Sequence, residues 1–137
     1  MIEIINQQHK YWLNPKRFKD LLKKLVEYYK LKDPEVVLVF VDTKTIKQLN
    51  LKFLKKNAPT DVLSFPLGEK SVNGKYYLGD IVISVPQAFK QCFSQEHGLE
   101  KELELLTIHG FLHLIGFDHS AGIEEEENKI QKLIRLY

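Results

Sequence analysis

The sequence predicts an α+β fold, a single domain over residues 1–137 in which a small mixed β-sheet of about four strands packs against about five helices. Three observations support this prediction. Short β-branched runs occur in the first two thirds of the chain, helical apolar spacing occurs between them, and the last third has helical spacing alone. Interspersed strands and helices favour a sheet covered by helices, and 137 residues are enough to bury one core.

The first strand and the first helix come before residue 32. IEII at 2–5 is a short apolar run that predicts a strand. Apolar residues then recur at helical spacing through 14–31. Asn14 suits the N-cap of this helix, and Pro15 suits its first position because proline has no N–H to leave unpaired there.

A buried strand and a second helix follow. EVVLVFVD at 35–42 is continuously apolar and β-branched, which is typical of a strand covered on both faces. Asp42 ends this run and is a good N-cap for a helix over 43–54.

The middle of the chain predicts a hairpin. Its strands are VLSFPL at 62–67 and YYLGDIVIS at 76–84, and Asn73-Gly74 between them is the usual tight-turn pair. Pro66 cannot donate a ladder hydrogen bond, so it places its strand at a sheet edge or at a bulge.

Three helices complete the prediction, over 84–95, 99–115 and 123–137. Gly116 should end the second of them because glycine adopts left-handed dihedral angles without steric cost. The last helix is acidic at its start and basic later, as the helix dipole prefers, and its acidic run at 124–127 needs no further function.

Composition excludes several classes of protein. Apolar residues make up 44% and charged residues 28%, which is ordinary for a globular protein. We find no apolar run that could span a bilayer and no signal-peptide pattern, so we expect no membrane association. Cys92 is the only cysteine, which excludes an internal disulfide and a thiolate-rich metal site. We therefore expect a cytoplasmic protein.

The charge is distributed unevenly along the chain. Residues 1–75 carry 15 Lys+Arg against 8 Asp+Glu, whereas residues 76–137 carry 5 against 10. A basic first half suits phosphates, but it is also compatible with an ordinary lysine-rich surface.

A histidine cluster near the end of the longest helix is the main functional signal. His109 and His113 are four residues apart and so share one helix face, where two imidazoles can bind one metal ion. His119 would lie about 15 Å from His109 on a continuous helix, so the chain must turn back at Gly116 to add it. Three imidazoles and an open fourth position are typical of catalytic zinc.

The available ligand atoms limit which metal ion can bind. Imidazole suits zinc, copper, iron and nickel, and zinc fits a three-histidine hydrolytic site best, although purified protein could carry nickel or another divalent ion. We predict one Zn²⁺. Asp118 beside His119 could orient a ligand imidazole or could cap the following turn, and the sequence does not decide between these roles.

The spacing H-x-x-x-H-x-x-G-x-x-H is that of the metzincin proteases. Those enzymes carry their general base, a glutamate, immediately after the first histidine. Gly110 occupies that position here, so the sequence gives little support to a peptidase function.

The full string HGFLHLIGFDH at 109–119 resembles the signature H-G-x-L-H-L-x-G-x-D-H of the YbeY family, bacterial metal-dependent endoribonucleases. APTDVLSFP at 58–66 is similar to that family's P-T-D-V-L-S-F-P block, and LGDIVIS at 78–84 to its G-D-I-x-I-S strand. The three blocks occur in the family's order and spacing, so the resemblance covers most of the chain.

The resemblance implies a fold, an activity and a ligand set. The fold is a small sheet flanked by helices, and the zinc ligands map onto His109, His113 and His119. The implied activity is cleavage of single-stranded RNA in 16S rRNA 3′-end maturation and ribosome quality control, in the cytoplasm. The implied partners are rRNA and the ribosome or small-subunit proteins, and nothing indicates a preference for DNA.

One position departs from the family's pattern. The family usually has an arginine shortly before its P-T-D-V block, and alignment on 49–50 and 59–61 places Leu54 there. Lys52, Lys55 and Lys56 are nearby and are our candidates for holding the RNA backbone. Lysine cannot reproduce the bidentate contact of arginine with a phosphate, which puts the efficiency of phosphate clamping, and with it the activity, in question.

The candidate catalytic residues are His109, which is also a predicted metal ligand, Asp61 and Lys56. Asp61 could serve as a general base or could cap a turn, and with Ser64 it should border the cleft. Three phenylalanines near these motifs could stack bases, although such residues more often belong to a core: Phe65, Phe111 and Phe117.

Two rival functions share the metal site. One is a zinc hydrolase of another class, acting on peptides or small esters. The other is a non-catalytic ribosome-assembly factor in which zinc only holds the last helices together. A closed structural site would need a fourth protein ligand, for which Asp118 is the nearest candidate.

Overall fold

The computed structural model describes residues 1–70, 76–94 and 97–135. Within these residues the chain forms four strands and five helices. The strands are β1 (Ile2–Asn6), β2 (Pro34–Val41), β3 (Val62–Lys70) and β4 (Tyr76–Ser84). The helices are α1 (Pro15–Tyr28), α2 (Thr43–Leu54), α3 (Val85–Ser94), α4 (Leu99–Leu114) and α5 (Ile123–Arg135).

The strands form one mixed sheet in the order β1-β2-β4-β3. β1, β2 and β4 are parallel to one another, and β3 pairs antiparallel with β4. β3 therefore forms one edge of the sheet. The β3–β4 register shifts between Pro66 and Glu69, so Pro66 lies both on an edge strand and beside an irregularity, as its missing N–H predicts.

Helices cover both faces of the sheet. Alternation along β2 sends Val36, Leu38 and Phe40 into the larger core, which also includes buried residues of α1, α3, α4 and α5. Val41 belongs instead to a smaller core on the other face, together with Ile46 of α2. The α+β prediction of a four-stranded mixed sheet with five helices is confirmed.

Two glycines bring α4 close to the sheet. A Cβ on Gly110 would lie 2.6 Å from Cγ2 of Ile81 in β4, and Ser64 of β3 donates a 3.1 Å hydrogen bond to the Gly110 carbonyl. Gly79 has φ +146°, and a Cβ there would lie 2.4 Å from the Phe65 carbonyl oxygen and 2.8 Å from Cδ2 of Leu114. This close packing fixes α4 beside β3 and β4.

Most predicted boundaries agree with the structure to within a few residues. α1 ends at Tyr28 rather than at residue 31, and Lys30 has a left-handed φ of 55°, which does not continue a helix. α4 ends as predicted just before Gly116, whose φ is +106°. The Asn73-Gly74 turn lies outside the described residues. Across 1–70, 76–94 and 97–135, no helix is both long and apolar enough to cross a bilayer.

Candidate functional site

His109 and His113 face each other on α4. Their Nε2 atoms are 3.0 Å apart and their ring centroids 4.6 Å apart. Both side chains are only partly exposed. The i, i+4 spacing therefore brings two imidazole nitrogens to one point beside the sheet edge, as predicted from the sequence.

Cavities beside β3 are lined by the two histidines. One cavity, of about 230 Å³, is lined by both histidines. Its other lining residues are Leu54, Val62, Leu63, Ser64 and Pro66. A second cavity, of about 300 Å³, is also lined by His109 and includes Asp61, Gln91, Glu102 and Glu127. His109 thus borders both cavities, and Ser64 borders the cleft as predicted.

Glu127 of α5 holds His109 in place. Its Oε1 atom accepts a hydrogen bond from Nδ1 of His109. This bond raises the pKa of His109, against the lowering effect of burial. With Nδ1 acting as the donor, Nε2 of the neutral ring carries the free lone pair and points toward His113.

The role of Glu127 was missed in the sequence because it belongs to an acidic run that the helix dipole explains. A signal was nevertheless present. Glu127 lies four residues after Ile123 and three before Ile130, both of which are buried, so it belongs to the buried face of α5. A carboxylate on such a face requires a partner. The helix dipole alone therefore does not account for Glu127, which contacts His109.

The pKa of His113 is shifted in the opposite direction from that of His109. Burial lowers the pKa of His113, and the neighbouring His109 and His119 lower it further. Both effects favour the neutral form of His113, which is the form of an imidazole that can coordinate a cation.

His119 lies in the exposed segment after α4. Its side chain is 79% exposed, and its Nδ1 atom is 3.9 Å from Oε1 of Glu124. In the part of the chain that the structure describes, no three His, Cys, Asp or Glu side chains converge as a metal-binding group. Two of the three predicted ligands are thus brought together, and the complete three-histidine set stays a prediction.

Asp118 makes the turn that follows α4. Its Oδ1 atom accepts hydrogen bonds from the Ser120 amide at 2.9 Å and the Ser120 hydroxyl at 2.7 Å, and these bonds hold the pKa of Asp118 below its usual value. Of the two roles left open by the sequence, this geometry matches the turn cap. The carboxylate that contacts an imidazole of the pair is Glu127.

Asp61 is close to His109 and well anchored. Its Oδ1 atom accepts a 2.8 Å bond from the Val62 amide, and its Oδ2 atom accepts a 3.2 Å bond from Nε2 of Gln91. The carboxylate borders the same cavity as His109 and contributes to the raised pKa of that histidine. Asp61 therefore both ties down the start of β3 and adds negative charge to the site.

The predicted RNA-backbone lysines surround the end of α2. Lys52 lies in its last turn, and Lys55 forms its C-cap with φ 60°. Lys56 follows and is exposed. Leu54, which stands where the family's arginine is expected, is 51% exposed and lines the histidine cavity. The structure shows no contact between the Lys56 side chain and the histidine pair, so its catalytic role stays a prediction.

The three phenylalanines considered for base stacking differ in burial. Phe111 is fully buried in the larger core and cannot reach a base. Phe117 packs against the same core, and Phe65 packs against the smaller one, both partly buried.

Comparison with known proteins agrees with this architecture. The family model described as Endoribonuclease YbeY matches residues 3–136. The chain belongs to the YbeY family. It is 40% identical over 124 residues to the Endoribonuclease YbeY of Oceanobacillus iheyensis, covering 81% of this chain and 79% of that relative. It is 33% identical to the Endoribonuclease YbeY of Thermodesulfovibrio yellowstonii, with 96% and 91% covered.

A solved structure shows the same fold. The solution structure of a protein from Thermotoga maritima superposes with a TM-score of 0.62 at 33% sequence identity, covering 94% of this chain and 85% of that one. The YbeY resemblance inferred from three short motifs is therefore confirmed along nearly the whole chain. The paired histidines lie in the segment that carries the most specific of those motifs.

Proposed function

We propose that this YbeY family member is a metal-dependent endoribonuclease that cleaves single-stranded RNA at the His109–His113 pair. The observation that supports this most strongly is the 3.0 Å separation of their two Nε2 atoms beside a cavity at the sheet edge. Relatives named Endoribonuclease YbeY give the reaction class. The proposed role is 16S rRNA 3′-end maturation and ribosome quality control in the cytoplasm, with the ribosome or its small-subunit proteins as partners.

The donor set fits a zinc ion. Two nitrogens 3.0 Å apart can both lie about 2.0–2.1 Å from one ion, and the Glu127 contact leaves the Nε2 lone pair of His109 free for it. We propose His119 as the third ligand, because it follows the turn at Gly116 and completes the spacing H-x-x-x-H-x-x-G-x-x-H. Zinc held by these histidines would supply Lewis-acid chemistry, polarising a phosphoryl oxygen and making water a better nucleophile.

The chain's own residues supply positioning and proton transfer. Lys52, Lys55 and Lys56 hold the RNA backbone through contacts that depend on salt and not on base sequence. Asp61 lies on the His109 side of the site, where its carboxylate can accept a proton from the attacking oxygen. That oxygen belongs either to water or to the RNA 2′-hydroxyl, and both chemistries use the same residues.

The geometry at Gly110 weighs against a peptidase. A side chain at this position would meet Ile81 rather than open space, so α4 has no room for the glutamate that metzincin proteases carry there. Glu127 does not replace it, because its carboxylate is bonded to Nδ1 of His109.

A substrate panel with and without a chelator tests the proposed function. We expect cleavage of single-stranded RNA, weak or no cleavage of duplex RNA and none of peptides, and loss of cleavage when zinc is removed with the circular dichroism spectrum unchanged. Peptide cleavage would favour another hydrolase class. Unfolding on chelation would favour the non-catalytic assembly factor, because a structural zinc contributes to folding itself.

Replacing Leu54 tests the departure from the family pattern. Leu54→Arg restores a bidentate phosphate contact beside the cavity, so it should increase cleavage of single-stranded RNA. Leu54→Lys is the matched control that adds only charge, and it should increase cleavage less. Equal rates for all three proteins would mean that this position does not contact phosphate.

A further inference from the structure

The last turn of α2 exposes an unusual amount of apolar surface. α2 buries only Ile46 and Asn50. Leu51, Phe53 and Leu54 near its C-terminus are 48%, 54% and 51% exposed. Large apolar side chains exposed next to one another indicate an interaction surface.

Phe53 is held in position while remaining exposed. Its ring packs edge-to-face against Phe65 of β3, with centroids 5.2 Å apart at an interplanar angle of 65°. The Nζ atom of Lys52 lies 5.3 Å from the centroid of the Phe53 ring. Phe65 in turn packs against the smaller core, so the Phe53 ring is supported from the sheet.

The charge around Phe53 indicates what binds there. Residues 43–60 contain five lysines and no aspartate or glutamate. A surface that combines lysines with an exposed aromatic ring suits a polyanion with flat apolar groups. Single-stranded nucleic acid has this chemistry, because its phosphates contact cations while its unpaired bases stack on aromatic rings.

Phe53 is also next to the histidine cavity. Leu54, its neighbour in sequence, lines that cavity with His109 and His113. A strand bound at Phe53 therefore lies one residue from the wall of the histidine cavity. Duplex RNA keeps its bases stacked inside the helix and cannot offer one to Phe53.

We propose that Phe53 is a base-stacking platform: one unpaired base of the RNA lies on its ring while the neighbouring phosphates contact Lys52, Lys55 and Lys56. The identity of the polymer as RNA rests on the proposed function. The platform itself rests on the exposure, the support and the charge of this surface.

The test is binding of a labelled oligoadenosine to the full-length protein, measured by fluorescence anisotropy, with RNA integrity checked on a gel. Phe53→Leu keeps apolar bulk and removes the aromatic face. Its affinity for oligoadenosine should fall on the order of 5- to 100-fold, whereas its affinity for a ribose-phosphate oligomer without bases should not change. Phe93→Leu is the matched control, because Phe93 is 69% exposed on α3.

A second measurement detects stacking directly. Trp12 is the only tryptophan of the chain, so a Trp12→Phe, Phe53→Trp variant carries its single indole at the platform. Oligoadenosine should quench its fluorescence, and the oligomer without bases should not. Absence of quenching under conditions where the oligoadenosine is bound overturns the platform.

These outcomes separate the inference from the proposed function. Suppose that the native protein cleaves RNA and that Phe53→Leu binds and cleaves RNA equally well. The platform is then wrong, and the exposed surface is better explained by a protein partner. If the native protein never cleaves RNA but Phe53→Leu alone loses oligoadenosine binding, the platform stands and the proposed function fails.

Discussion

The carboxylate of Glu127 accepts a hydrogen bond from Nδ1 of His109, so a residue of the last helix orients an imidazole of the preceding one. Glu127 and His109 are 18 residues apart. The bond ties α5 to α4 at the candidate site. It also fixes the His109 ring with its Nε2 atom 3.0 Å from Nε2 of His113.

Removing this contact should weaken metal binding. For Glu127→Ala we expect zinc affinity to fall about 10- to 100-fold, because the His109 ring loses both its fixed tautomer and its orientation. Competition with a chromogenic chelator measures this directly. Glu125→Ala is the matched control, since Glu125 is an exposed residue of the same acidic run. Equal zinc affinities for the two variants would show that Glu127 does not position a ligand.

Gly110 should be essential for packing rather than for chemistry. A Cβ added at this position lies 2.6 Å from Cγ2 of Ile81, so Gly110→Ala must push α4 away from β4. We expect a loss of about 1–3 kcal/mol in the free energy of unfolding, measured by denaturant titration. In Gly98→Ala the added Cβ has no neighbour within 4 Å, so the loss should be smaller. Equal losses would refute this packing argument.

Asp80 on β4 should destabilise the fold at neutral pH. Burial raises the pKa of its carboxyl, so the folded chain holds this proton more tightly than the unfolded chain does. The free energy of unfolding therefore rises as the pH falls from above the pKa of Asp80 in the folded chain toward its pKa in the unfolded chain, about 3.9. Asp80→Asn removes this dependence.

We therefore expect Asp80→Asn to raise the free energy of unfolding at pH 7, by less than about 1 kcal/mol because the carboxylate is partly solvated. The gain should vanish below about pH 3.9, where the carboxyl is protonated in both states. Denaturant titrations of both proteins at pH 7 and pH 3.5 measure it. A native protein more stable than Asp80→Asn at pH 7 would contradict this account.

The features that depend on local spacing were predictable from the sequence. Asn14 caps α1 by accepting a bond from the Lys16 amide, and Asp42 caps α2 through the Thr45 amide. The His109–His113 pair follows from helical periodicity alone. In each case the interacting groups are within four residues of each other, where chain geometry leaves few alternatives.

The features that depend on how distant elements dock were not predictable in the same way. The parallel pairing of β2 with β4 joins strands separated by α2 and β3. Periodicity places Glu127 on the buried face of α5 but does not show which helix that face meets. Likewise, the turn after Gly116 was predicted, but the exposed position of His119 beside Glu124 depends on where α5 begins.

The most direct test of the central claim is RNA cleavage and zinc content, measured together for the native protein, His113→Ala and His9→Ala. His9 is an exposed histidine outside α4 and serves as the control. We predict that the native protein and His9→Ala bind zinc and cut single-stranded RNA, whereas His113→Ala binds little zinc and does not cut. A His113→Ala variant that keeps both its zinc and its RNA cleavage would contradict the assignment of this site.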